Sequence, residues 1–170
     1  LAHTDEPVPG ADLDALLMSQ YAPALALAGR IGELHGMVAR SLERARAHSL
    51  YSECVTGALN AWALGLVGDF AGAAPIAARA LAIAEGESFR TWTSRPLFLL
   101  GVQAIHAGRV EAGIDQARAA LAGREGDGQM VDHSAMCCLF AEALLDVGHP
   151  GAEEFVDQAA GFAEDSGELY

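Results

Sequence analysis

The sequence predicts an all-α fold, a right-handed α-α superhelix of about four antiparallel helix hairpins. Gly68, Gly108 and Gly148 stand at intervals of 40 residues, and Gly29 lies one residue off the same spacing. Each glycine ends one apolar helical stretch and precedes another. No strand is predicted, because Ala and Leu dominate and β-branched residues never alternate with polar ones over a useful length. Hairpins repeated in this way bury their apolar faces by stacking.

The helices are expected to follow a short N-terminal segment. We predict a linker or disordered tail over residues 1–12, because Pro7, Pro9 and Gly10 stand there among acidic residues. The helical repeat domain then covers residues 13–170, and because residue 1 is leucine we expect a fragment of a larger protein. Eight helices are predicted, over residues 13–28, 31–47, 50–67, 70–85, 94–107, 110–123, 131–147 and 150–165.

Apolar spacing supports these helices. In the third hairpin apolar and small residues recur at i, i+3, i+4 and i+7, which makes one stripe along the helix: Leu97, Leu100, Gly101 and Ala104. A small side chain also recurs in the second helix of successive hairpins, at Ala80, Ala120 and Ala160. Small residues at a contact let neighbouring helices approach to about 8 Å.

The residues at the turns fit the same plan. A glycine just past a helix supplies the left-handed cap, and the following residue caps the next helix. Asp69 has this role in the second hairpin, and His149 precedes Pro150 at a first helical position in the fourth. Pro23 and Pro75 fall inside predicted helices, so a kink or a later helix start is expected at each.

Composition excludes several classes of function. The formal net charge is −13, and all ten basic residues are arginine, so the surface would repel phosphates and no direct nucleic-acid binding is expected. No uncharged run reaches the roughly 20 residues that cross a bilayer, so no membrane span is expected. The three cysteines are expected to be free thiols in a reducing, cytoplasmic environment.

The phrase Gly68-Asp69-Phe70, followed by small residues at fixed steps, resembles the second half of a tetratricopeptide repeat (TPR). Leu100-Gly101 occupies the place of the Leu-Gly pair in the first helix of that repeat, and Phe140-Ala141 occupies the same place in the fourth hairpin. The chain departs from the family in its longer period and in lacking the opening tryptophan and closing proline. The resemblance implies a TPR-like solenoid that binds partners in a concave groove.

A narrower resemblance involves three short stretches, residues 86–92, 108–114 and 163–170. They look like the C-terminal repeats of large bacterial signalling ATPases, which are fused to adenylate/guanylate cyclase or LuxR-type DNA-binding domains. This resemblance implies a non-catalytic interaction or sensor segment of a signalling or transcriptional regulator. The expected partners are a protein, a peptide, adjacent domains of the same polypeptide or, in a homodimer, a second copy of the chain.

The binding surface is predicted from the repeat itself. The first helix of each hairpin lines the concave side, and counting back from each glycine gives the wall: Ser19, Trp62, Arg95, Phe98, Val102, Cys138 and Glu142. Arginine beside exposed aromatic residues is typical of interface hot spots. The alternative is that Trp62 and Phe98 pack between hairpins and that Arg95 pairs with a local acid.

Two other patterns resemble functional sites but lack required residues. His133 and Cys137 lie at i and i+4 with Cys138 adjacent, a spacing suited to a soft metal, but no further ligand pair completes a site. The glycine-rich residues 123–128 lack the Lys-Ser/Thr ending of a phosphate loop and are predicted to form a loop. No metal, cofactor or catalytic residue is therefore expected.

The sequence is also compatible with two alternative functions. The chain could be a homo-oligomerisation module that uses the exposed end of the terminal hairpin, through Phe155, Phe162 and Leu169. It could also be a small all-α enzyme that uses His133 and Cys137.

Overall fold

The computed structural model describes residues 10–126 and 132–166, and within these ranges the protein is all-helical, with no strand. The predicted helices are confirmed to within three residues at each described boundary. They are α1 Leu13–Leu27, α2 Ile31–His48, α3 Leu50–Gly65, α4 Phe70–Gly86, α5 Ser94–His106, α6 Val110–Gly126, α7 His133–Asp146 and α8 Ala152–Ser166, with a short 3₁₀ helix at Arg90–Trp92 before α5.

The four glycines of the repeat form the same turn four times. Each has a positive φ, from 66° to 81°, which a residue without Cβ adopts at no steric cost. The glycine N–H bonds back three residues, and the N–H of the next residue bonds back five, at 2.9–3.0 Å in each hairpin. This is the Schellman arrangement, which satisfies carbonyls left over at a helix end. The 40-residue spacing therefore reflects one helix-ending turn that recurs in every hairpin.

Of the two capping predictions at these turns, one was confirmed and one was wrong. Asp69 caps α4 as expected, because its carboxylate accepts the Gly72 N–H at 2.9 Å. The prediction for His149 and Pro150 was wrong: the His149 ring accepts the Gly151 N–H at 3.1 Å, and the resulting turn delays α8 until Ala152. Helices α1 and α4 run through Pro23 and Pro75, so neither proline sets a later helix start.

The helices pack in sequence-adjacent pairs. Each hairpin pairs its own two helices, and α1, α3, α5 and α7 also contact one another in that order. Helices α2, α4 and α6 each reach the first helix of the following hairpin. Helix α3 is enclosed by α1, α2, α4 and α5, and every residue from Ser52 to Gly65 is buried. This pattern explains its long uncharged stretch, because a helix that is apolar all round is a buried one.

Small residues set the helix spacing where the repeat is regular. A Cβ built on Gly101 would lie 2.8 Å from the Ala117 nitrogen and 2.9 Å from the Gly113 oxygen, so α5 and α6 touch through their backbones. Ala80 and Ala120 are buried as predicted, but Ala160 is exposed, so the prediction fails in the last hairpin.

The chain before α1 is bonded to the next hairpin. Asp12 caps α1 by accepting the Ala15 N–H at 2.9 Å, and its own N–H donates to the Ser52 hydroxyl at 2.8 Å. The Gly10 carbonyl accepts from the hydroxyls of Ser49 and Ser52. The remaining residues of the predicted tail, 1–9, lie outside the described residues. None of the described helices is long and apolar enough to cross a membrane.

Candidate binding groove

A groove of about 750 Å³ lies between the first two hairpins and the last one. Helices α1 and α3 form one wall, and α7 and α8 form the other. Its lining includes Pro23 and Leu27 of α1, Trp62 and Leu66 of α3, Cys138, Leu139, Glu142 and Leu145 of α7, and Val156, Ala159, Ala160 and Ala163 of α8. Walls so distant in sequence meet because α3, α5 and α7 pack in succession.

Alanine creates the space on the α8 side. Ala159, Ala160 and Ala163 recur at helical spacing along the wall, and none of them projects beyond its Cβ. Larger apolar side chains stand at the mouth, where Leu27 is 67% exposed and Leu145 is 61% exposed. Exposed leucines on two facing walls form one apolar surface, and contiguous apolar surface is a mark of a binding site.

Three of the predicted wall residues do meet in the groove. Trp62, Cys138 and Glu142 all line it, although Trp62 is only 2% exposed. The Trp62 ring therefore packs between the hairpins, as the alternative interpretation predicted. It also forms part of the groove lining. Cys138 and Glu142 are exposed on α7. Partial burial, and to a lesser extent the Glu142 carboxylate, raise the pKa of the Cys138 thiol.

Three other predicted residues are not on an accessible wall, and the prediction for them was wrong. Ser19, Phe98 and Val102 are 0% exposed. The Ser19 hydroxyl donates to the Leu16 carbonyl at 2.8 Å within α1. The Phe98 ring packs edge-on against Phe140, with centroids 6.3 Å apart. Helix α5 has α3, α4, α6 and α7 around it, so Phe98 and Val102 fill the core instead of facing solvent.

Arg95 forms an ion pair with an acidic residue, as the alternative interpretation of this residue predicted. Its guanidinium donates to the Asp132 carboxylate at 2.7 Å, and its side chain is 14% exposed. Asp132 lines the end of the groove, so Arg95 neutralises a groove carboxylate without lining the groove itself. Among the described lining residues, Glu142 is then the acid that has no ion pair with an arginine. None of the described lining residues is basic.

Sequence reasoning missed a buried arginine behind this pair. Arg124 is 1% exposed, because α6 continues to Gly126 instead of ending at residue 123 in the predicted loop. Burial, together with the nearby Arg95 charge, lowers the pKa of Arg124 to about 10. A buried arginine in a glycine-rich stretch of polar residues gives no apolar periodicity, so no signal in the sequence marked it.

The residues considered for metal or catalytic roles lie in the core. His133 is 1% exposed, and its ring packs on Phe162 with centroids 4.2 Å apart. Cys137 is 0% exposed. Over residues 10–126 and 132–166, no three His, Cys, Asp or Glu side chains cluster in a way that could hold a metal ion.

Comparison with protein-family models, with curated proteins and with solved structures gave no match. The geometry of the groove is therefore the basis of the functional proposal.

Proposed function

We propose that this chain is a non-catalytic protein-interaction or sensor segment that binds a peptide, a neighbouring domain or a ligand in the groove. The observation that carries the proposal is the apolar groove between the first two hairpins and the last one. Its volume of about 750 Å³ falls within the roughly 300–1,000 Å³ range of ligand pockets, which are mostly apolar with a few polar groups. Glu142 and Cys138 supply polar groups here.

The position of the groove gives such binding a mechanical effect. Pro23 and Leu27 belong to the first hairpin, whereas Leu145 and Val156 belong to the last. An occupant that contacts both walls favours the arrangement of hairpins in which the walls are at the right distance. A ligand shifts a conformational equilibrium only through different affinity for the two states, and a groove shared by distant hairpins provides that difference.

The resemblance to TPR-like repeats extends the proposal to the whole protein. We include in it a right-handed superhelical arrangement of the hairpins, and a cytoplasmic, multidomain bacterial signalling or transcriptional regulator of which this chain is one segment. In such a protein the groove would report its occupancy to the attached domains. The repeated glycine turns and the sequence-adjacent helix pairs support the repeat character.

A neutral apolar probe, N-phenyl-1-naphthylamine, tests the groove directly. We expect a saturable rise in its fluorescence at one probe per chain. Ala160→Trp should weaken binding by about tenfold or more, because an indole on the α8 wall fills the space that the probe needs. Ala160 is exposed, so the fold tolerates the larger side chain.

Ala82→Trp is the matched control, because Ala82 is exposed on α4 away from the groove. It should bind the probe as the parent chain does. Equal binding by both variants, or no saturable binding by the parent chain, would contradict the proposal.

The structure favours neither alternative function. Phe155 is buried against Phe140, with centroids 4.5 Å apart, and Phe162 is partly buried on His133, so neither ring is free to meet another chain at the terminal hairpin. Leu169 lies outside the described residues. The enzyme alternative requires His133 and Cys137 at an accessible site, whereas both are buried.

A further inference from the structure

Within the described residues, the outer face of α1 is apolar and exposed. Leu13 is 71% exposed, Leu17 is 69% exposed and Tyr21 is 49% exposed, at i, i+4 and i+8 on one side of the helix. Ala24 and Ala28 continue the same stripe and are also exposed. A helix with one solvent face normally carries polar residues there. This stripe therefore has the composition of a contact surface.

The repeat identifies what kind of surface it is. The 39 residues between Gly29 and Gly68 align α1 with α3. The aligned pairs are Leu13 with Ser52, Leu17 with Thr56, and Tyr21 with Asn60. All three α3 residues are 0% exposed, and their face is covered by the preceding hairpin. There the Asn60 amide donates to the Ser41 hydroxyl at 2.7 Å. The covered face in α3 is polar, with hydrogen bonds at Ser52 and Asn60, whereas the same face in α1 consists of leucine and tyrosine and is exposed.

We infer that this face of α1 binds the same face of a second copy of the chain, with the two α1 helices antiparallel across a two-fold axis. The stripe is complementary to itself in size. Its N-terminal half carries the large Leu13 and Leu17, and its C-terminal half carries the small Ala24 and Ala28. An axis near residue 20 sets Leu17 of each copy against Ala24 of the other. A two-fold interface requires such self-complementarity.

Charge favours the same arrangement. From Ala15 to Gly29 α1 carries no charged residue, so the stripe avoids the repulsion expected between two chains of net charge −13. At the N-terminal end of the stripe Asp12 and Asp14 share Arg44, which leaves a net negative charge, whereas Arg30 at the other end is balanced by Glu33. Antiparallel pairing sets the negative end of one copy against the balanced end of the other. A parallel pairing would bring the two negative ends together.

The contact predicts a weak dimer with a particular dependence on salt. One helix pair lies at the small end of interface sizes, so we expect a dissociation constant on the order of 10 μM. Added salt screens the repulsion between two acidic chains while leaving apolar contact intact. Dimerisation should therefore strengthen with salt, whereas a contact made mainly of ion pairs would weaken.

Sedimentation velocity of the full 170-residue chain over about a hundredfold range of concentration tests the inference, because mass action governs a weak dimer. Leu17→Glu should lower the association constant at least about 100-fold, since each dimer would hold two unpaired charges. Val147→Glu is the control: Val147 is also exposed but directly follows α7 and does not line the groove, and the variant should dimerise like the parent chain. Circular dichroism checks that both variants fold.

A mixture of variants tests the antiparallel register. Ala24→Lys alone should also block dimerisation, because it sets a lysine against Leu17 of the second copy. Mixing Leu17→Glu with Ala24→Lys should restore dimers, because one contact becomes an ion pair and the other keeps leucine against alanine. A mixture that stays monomeric would overturn the antiparallel pairing.

Three further results would overturn the inference. They are a parent chain that is monomeric at every concentration, a dimer that Leu17→Glu does not weaken, and a monomer that dimerises only after residues 1–9 are deleted. The last result would assign the α1 face to the chain's own N-terminal segment.

Discussion

Replacing Gly101 with alanine should destabilise the protein, although alanine is the better helix former. In an exposed helix interior the change from glycine to alanine stabilises by about 1 kcal/mol. At Gly101 the new Cβ would lie 2.8 Å from the Ala117 nitrogen and 2.9 Å from the Gly113 oxygen. Both are backbone atoms of α6, so no side-chain rotation relieves the contact.

The geometry sets the size of the effect. Ordinary contact begins near 3.4 Å, so α6 must retreat from α5 by roughly half an ångström. A gap of that size already forfeits about a quarter of the attraction between atoms that were in contact. Overpacking of this kind costs about 1–3 kcal/mol. Because both contacts are with backbone atoms, we take the upper half of this range, about 2–3 kcal/mol. After subtracting about 1 kcal/mol for the gain in helix propensity, we expect Gly101→Ala to lower the free energy of unfolding by about 1–2 kcal/mol.

Urea denaturation followed by circular dichroism and by tryptophan fluorescence measures this change. Gly161→Ala is the control, because Gly161 lies inside α8 and a Cβ there would have no atom within 4 Å. That variant should be more stable than the parent chain by up to about 1 kcal/mol. If Gly101→Ala proves as stable as the parent chain, the backbone contact between α5 and α6 is not as close as the structure has it.

Three other predictions concern a turn, a thiol and an ion pair. Gly68→Ala should cost about 1 kcal/mol, because the φ of +74° is strained for any residue with a Cβ; thermal melting that is unchanged would contradict this. At pH 8 a disulfide reagent should modify exposed Cys138 in the native protein but not Cys54, whose pKa burial raises to about 11; mass spectrometry of the labelled peptides decides. Glu53→Gln should cost about 1 kcal/mol at pH 7, because the hydrogen-bonded Arg79 lowers the pKa of Glu53 but is itself half exposed to screening water. The stabilising effect is complete above the ordinary glutamate pKa of 4.5 and is lost as the pH falls through the lower native value, so urea titrations of the two proteins should converge in acid.

The helices could be predicted from the sequence because one local structure, the glycine turn at a helix end, repeats. A glycine at a left-handed helix end depends on neighbouring residues alone, and Gly29, Gly68, Gly108 and Gly148 all have that role. The rotation of each helix about its own axis depends on every neighbour it packs against, and the sequence does not state that directly. Positions along the chain were therefore predicted better than the direction in which a side chain faces.

This difference explains which groove residues were predicted. Cys138 and Glu142 lie on α7, which has an open side, so counting back from a glycine found them. Phe98 and Val102 occupy equivalent places on α5, but that helix is surrounded, and the same count led into the core. The α8 wall was missed because the prediction placed only the first helix of each hairpin on the concave side, whereas Ala160 of α8, the second helix of the fourth hairpin, lines the groove.

The enclosure of α3 has a consequence for how this protein can change over generations. All fourteen residues from Ser52 to Gly65 are buried. A new side chain at any of these positions must therefore fit against one of the helices that surround α3. Residues that share packing partners have non-additive effects on stability, so a tolerated change at one of these positions depends on what stands at the others. Helix α3 should accept variation slowly and in correlated sets, while the outer helices drift one residue at a time.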